Sequence, residues 1–168
     1  MTFRRVLRKA IIFHLIFLAL HFAYDWLPYS WVAAIGARGE AVMQHMKIAF
    51  FAWTLTALGE LALRPARRRR VFDANLLVNL LAPWAMFLWY LASALYGGPL
   101  PTTALEIVYA NAILFLAGLG LSLLTYDLES AVFSRATRAV MAVFYGCLVY
   151  LLVTFTFKTP WGGFFVHP

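Results

Sequence analysis

Charge is what this chain lacks most. Only 12% of its 168 residues are charged, where a soluble domain carries about 25%. Acidic residues are the scarcer sign, with seven Asp and Glu against fourteen Lys and Arg. There is one cysteine, Cys147, so no intramolecular disulfide can form. No Cys/His pattern has zinc-finger spacing. Cys147 itself reads as a small buried apolar residue in a helix. H-E-x-x-H, nucleophile-elbow and phosphate-loop motifs are absent too, which removes the common metalloprotease, hydrolase and nucleotide-binding signatures. Neither an internal repeat nor a low-complexity linker interrupts the chain.

Apolar surface fills the space that charge leaves. Hydrophobic residues make up 64% of the sequence and the mean hydropathy is +0.79. Several apolar runs reach the ~18–20 residues that cross a bilayer. The expected fold is all-α, an integral membrane bundle of five transmembrane helices in a single domain over 1–168. The spans are predicted near 8–27, 40–63, 74–96, 104–126 and 137–158. The basic start "FRRVLRK" (3–9) leads into a run longer than a signal-peptide core, so the first helix is expected to remain uncleaved. Pro28 and Pro65 mark helix ends, and Pro83 should kink the third span. Asp73 is the expected N-cap of that span, and Thr103 with Glu106 has capping-box spacing at the fourth. The segment 28–39 is too short to span and reads as an interfacial loop. Its Tyr29 and Trp31, with Trp26, belong at headgroup level. "YGGPLPTT" (96–103) reads as a turn, and 159–168 as a short aromatic tail.

The net charge of +7 points to orientation rather than to nucleic acid. Arg4, Arg5, Arg8, Lys9, Arg64, Arg67 to Arg70, Arg135 and Arg138 all fall on one side of a five-span topology. Only Arg38, Lys47 and Lys158 fall on or near the other. The positive-inside rule then places the N-terminus in the cytoplasm and the C-terminus outside. The arginine run at 67–70 is read as a topology determinant, with anionic lipid binding as a secondary role.

Helical residues turn by about 100° each. His14, His21 and Asp25 therefore share one arc of the first span. Taken as helical, Glu40, Gln44, Lys47 and Thr54 share a face of the second. His45 points elsewhere, in line with Ala49, Ala52, Thr56 and Gly59, small residues that admit a close neighbour. The second span thus needs partners on two sides and should sit inside the bundle. Its polar start and the end of the first span lie at the same depth. The expected outcome is a cluster of His21, Asp25, Glu40, Gln44 and Lys47 near the outer face, since charge at such depth turns to the protein interior or to water. Elsewhere the polar residues read as structural: a local Glu60–Arg64 pair, Asn75 and Asn79 toward a neighbour, and a packing seam of Asn111, Gly118, Ser122 and Thr125.

"HFAYDW" (21–26) followed by "GEAVMQHMKIAFFAW" (39–53) resembles a family of small bacterial multi-pass membrane proteins of unknown function. That family carries H-F-x-Y-D/E-W and then N-E-S-x-W-E-H-x-K. "LSLLTYDL" (121–128) and 155–168 are weaker matches to its later segments. The matching positions are His21, Tyr24, Asp25, Trp26, Glu40, His45 and Lys47. Gly39, Ala41, Met43 and Gln44 stand where the family has Asn, Ser, Trp and Glu, so this chain looks like a divergent member. The resemblance implies a multi-helix fold in the inner membrane of a bacterial cell and a shared polar site that includes Tyr24. It implies no activity and no cofactor.

Three functions stay open on these residues. The outer cluster could bind a small polar ligand or ion, with Lys47 and a histidine as donors, and this reading is preferred. It could instead serve an enzyme, through an acid/base pair or a divalent metal held by His21, His45 and Asp25 or Glu40. Or the chain could be an accessory subunit docking a membrane-protein partner through its lipid-facing surface.

Overall fold

The computed structural model describes the backbone of residues 3–95 and 100–158, and their side chains except those of 88–95. The turn expected at 96–103 lies partly outside the described residues, and the tail at 159–168 wholly outside. Among the described residues six α-helices follow in order: α1 (Phe3–Trp26), α2 (Ser30–Ile35), α3 (Val42–Leu63), α4 (Arg68–Leu95), α5 (Thr103–Leu128) and α6 (Arg135–Phe157). A 3-10 turn, Pro65–Arg67, joins α3 to α4. There is no strand among the described residues. Four helices, α1, α3, α5 and α6, are long and apolar enough to cross a membrane, which is the build of a multi-pass membrane protein.

α3 occupies the middle, as its two non-lipid faces require. It packs against α1, α4 and α6, and touches α2. Half of its most apolar stretch is buried, against 17% for α6 at the periphery. Ala49 and Ala52 are fully buried on one side and Gln44 and Lys47 on the other. The core joins Phe13, Phe17 and Leu20 of α1 to Ala49, Ala52 and Trp53 of α3, Val78 and Ala82 of α4, and Leu114 and Leu121 of α5. The Phe13 and Trp53 rings meet edge to face at 5.3 Å, a geometry that adds to burial. Gly118 lets α5 reach α1: a Cβ there would stand 2.9 Å from the Phe13 ring. With buried Ser122 and Thr125 it forms the expected packing seam.

Several local expectations are corrected. The interfacial segment folds a short helix, α2, with Val32 and Ala33 buried and Tyr29 and Trp31 exposed. α4 starts five residues before Asp73, because Arg68 to Arg70 are good helix formers and extend the helix back to the elbow. Asp73 is therefore no cap. It is buried inside α4, and its Oδ2 lies 3.9 Å from Nε of Arg138 on α6. Pro83 lies buried within α4, which is one helix from Arg68 to Leu95, in keeping with its expected place inside that span. At α5 the cap is Thr102, whose hydroxyl accepts from the Leu105 amide at 3.3 Å, not Thr103. Glu106 instead accepts from the Leu100 amide. Capping-box spacing to Glu106 selects Thr103, one residue past the Thr102 that caps the helix, because Glu106 bonds the Leu100 amide and not the cap residue. Cys147 is exposed on α6, since α6 turns most of its surface outward.

The largest departure is at the arginine-rich end. Glu60 and Arg64 do pair, at 2.8 Å, but the pair belongs to a network across four helices. Lys9 of α1 is buried and donates to Glu60 Oε2 at 2.7 Å and to Asn75 Oδ1 at 2.8 Å. Arg64 makes a two-pronged contact with Glu129 at the end of α5, at 2.5 and 2.6 Å. That carboxylate raises the Arg64 guanidinium above its ordinary range. Tyr126 places its ring 5.4 Å from the Lys9 ammonium and 5.9 Å from Arg64. Two cations and two carboxylates thus satisfy one another, and removing one member strands the rest, at a cost of about 3–5 kcal/mol.

Candidate metal centre at the opposite end

At the end away from the arginines, α1 finishes and α3 begins. Between α2 and α3 the chain turns through Gly39, whose φ of 97° lies in the left-handed region that favours glycine. Glu40 follows at once, and the helix does not begin until Val42. The Glu40 direction is therefore set by this turn and not by helical phase. Its carboxylate reaches back between two imidazoles. Glu40 Oε1 lies 3.5 Å from His21 Nε2, and Oε2 lies 3.4 Å from His45 Nε2. The two rings sit 5.2 Å apart, tilted by 32°. One donor atom from each residue falls within 4.8 Å of the others.

The surroundings fix these rings. Phe17 stacks against both, at 6.5 Å from His21 and 6.4 Å from His45, and Phe22 meets His21 edge-on at 4.8 Å. His45 Nδ1 lies 3.2 Å from the Ala41 carbonyl. A carbonyl can only accept, so Nδ1 carries the proton. In the neutral ring Nε2 then holds the lone pair, and it points at Glu40. A backbone acceptor on the far nitrogen is the usual support of a metal-binding histidine. The Glu40–imidazole separations exceed the 2.7–3.2 Å of a good N–H···O bond. They are close to the roughly 3.3 Å between neighbouring donors around a four-coordinate zinc with bonds of about 2.0–2.1 Å. The imidazoles are largely shielded while Glu40 is 58% exposed, so the trio has one open side.

Of the expected cluster, His21 and Glu40 come together and three residues do not join them. Lys47 is fully buried and turns away, donating to the Ala33 carbonyl at 2.6 Å and to Thr156 Oγ1 on α6 at 2.9 Å. Gln44 is buried and its Oε1 accepts from the Arg38 amide at 3.2 Å, which ties down the 36–41 turn. Asp25 is exposed and stands outside the trio. Tyr24 lies under the Arg38 guanidinium, 5.9 Å away. His45 is the converse case. Reckoned from Glu40 as a helical residue, it pointed elsewhere, and because Glu40 precedes the helix the two meet. His14 sits apart, edge-on to Phe115 of α5 at 6.0 Å, with its Nδ1 buried and unpartnered among the described residues.

No family model, curated protein or solved structure matches this chain. Function therefore has to be read from the site.

Proposed function

We propose that the chain is a five-span protein of the inner membrane, arginine-rich end in the cytoplasm, whose His21–Glu40–His45 trio binds a divalent transition metal near the outer face. α4 supplies the fifth span. The orientation is supported by charge: eleven of the fourteen basic residues gather at one end, with four of the seven acidic ones. That end thus accounts for the whole net charge of +7.

One observation carries the metal reading. Two imidazole nitrogens and a carboxylate converge within 4.8 Å, and the one tautomer that hydrogen bonding fixes leaves a lone pair aimed inward. Converging lone pairs repel unless a cation lies between them. Two imidazoles and a carboxylate suit zinc and its first-row neighbours. Three protein donors leave a coordination position on the exposed side, where a small polar ligand could bind the metal directly. The family resemblance supports the same residues, since His21, Glu40 and His45 are all among its seven matching positions.

The test is zinc titration of the purified, chelator-stripped protein in detergent, with Glu40→Gln, His21→Ala and His45→Ala in parallel. Wild type should bind one equivalent, and each variant should weaken binding by at least about tenfold. Wild-type protein that takes up no metal, or histidine variants that bind as wild type does, would overturn the proposal.

A further inference from the structure

A second site lies at the other end, and it does not depend on the metal reading. Between the first turns of α1 and the α3–α4 elbow is a recess of about 350 Å³, lined by Arg5, Leu63, Arg64, Pro65, Ala66 and Arg67. Its three guanidiniums differ. Arg64 is held by Glu60 and Glu129, so its position is fixed and its charge is balanced. Arg5 and Arg67 are exposed and enter no ion pair among the described residues. The two carboxylates that contact a lining residue are taken, Glu60 by Lys9 and Arg64, and Glu129 by Arg64. A concave surface with two uncompensated guanidiniums attracts an anion, and the guanidinium fork fits phosphate oxygens two at a time.

Depth selects the kind of phosphate. α3 ends at Leu63 and Arg5 lies in the basic first turns of α1, so in the proposed membrane orientation the recess falls where the apolar stretches stop, at headgroup level. Leu63, in its wall, is 80% exposed. A free phosphate has no use for such apolar surface, whereas a phospholipid would lay its glycerol and upper acyl chain along it. Basic pockets between spanning helices hold anionic headgroups in this manner. We propose that this recess binds the phosphodiester of an anionic phospholipid, with Arg5 and Arg67 as its ligands and Leu63 as the apolar rest for the chain.

The experiment is native mass spectrometry of the full chain released from nanodiscs of phosphatidylglycerol mixed with phosphatidylcholine. Wild type should retain one phosphatidylglycerol in preference to phosphatidylcholine. The Arg5→Gln/Arg67→Gln double variant should lower that preference about tenfold, the loss of two charge-assisted contacts. The charge-matched Arg69→Gln/Arg70→Gln variant should keep it. Three results would overturn the proposal: equal retention in the first variant, equal loss in both, or displacement of the lipid by millimolar inorganic phosphate. A photoactivatable phosphatidylglycerol gives an independent readout on wild-type protein. Crosslinks should fall on 3–8 and 63–67, and crosslinks spread over the whole arginine-rich end would count against a defined site.

Discussion

The two ends of the bundle handle buried polarity in opposite ways. At the arginine-rich end Lys9, Glu60, Arg64 and Glu129 neutralise one another, with Asn75 bonded to Lys9 and Glu60. At the other end, two imidazoles and a carboxylate converge, and the buried Lys47 is turned toward α2 and α6 instead of joining them. The first arrangement is complete and so behaves as a fastening. The second gathers three metal-ligating groups around one point and, on the proposed reading, would act as a receptor. A cluster of costly residues says little by itself, and the sum of donors and acceptors within it says far more.

Breaking the fastening should have the largest effect. Glu60→Leu leaves the Lys9 ammonium buried without its carboxylate and should cost about 3–5 kcal/mol, read as a lower unfolding temperature in detergent. Adding Lys9→Met should recover much of that loss, because deleting both members of a buried pair is far milder than deleting one. Additive losses would mean that the two ends do not differ as described.

Filling the receptor should come next. Zinc at a hundred times its dissociation constant should stabilise wild type by about 2.7 kcal/mol and should leave Glu60→Leu with the same increment. The gain should shrink as pH falls, since protons compete with the metal for imidazole lone pairs. A gain that grew on acidification would exclude histidine ligation.

Lys47→Met tests whether the buried amine belongs to the receptor. It removes the donor to the Ala33 carbonyl and should cost about 1–3 kcal/mol, while zinc affinity stays at the wild-type value. A loss of affinity would return Lys47 to the cluster. Glu40→Gln should have the smallest effect on the metal-free protein, within about 0.5 kcal/mol as for most exposed positions, yet it should cut the zinc-dependent gain to about 1.4 kcal/mol or less at the same zinc concentration.

Much of this was legible from residues alone. The helical class and four of the spans follow from apolar length, and the central place of α3 follows from its two polar or small-residue faces. His21 and Glu40 stood out as polar groups beside apolar runs. His45 was named beside them as a possible metal donor, but its direction was misread, because helical phase was reckoned from Glu40, and a single left-handed glycine ahead of Glu40 removes that residue from the helix. The fastening was hidden for a different reason. Lys9 and Glu60 are 51 positions apart, and Arg64 and Glu129 are 65 apart. A lysine in a basic run reads as a topology signal whether it faces water or a buried glutamate. Long-range pairing of this kind leaves no periodicity to detect.

The turn at Gly39 gives the metal reading a mechanical side. Two members of the trio ride on long packed helices, while the third is carried by a few residues of connecting chain. An ion captured there would act as a clasp, drawing the strap between α2 and α3 down onto the tops of two rods that are already fixed. Occupancy would then register as stiffening of that strap, visible as slower amide exchange around 36–41, with the rest of the bundle unchanged.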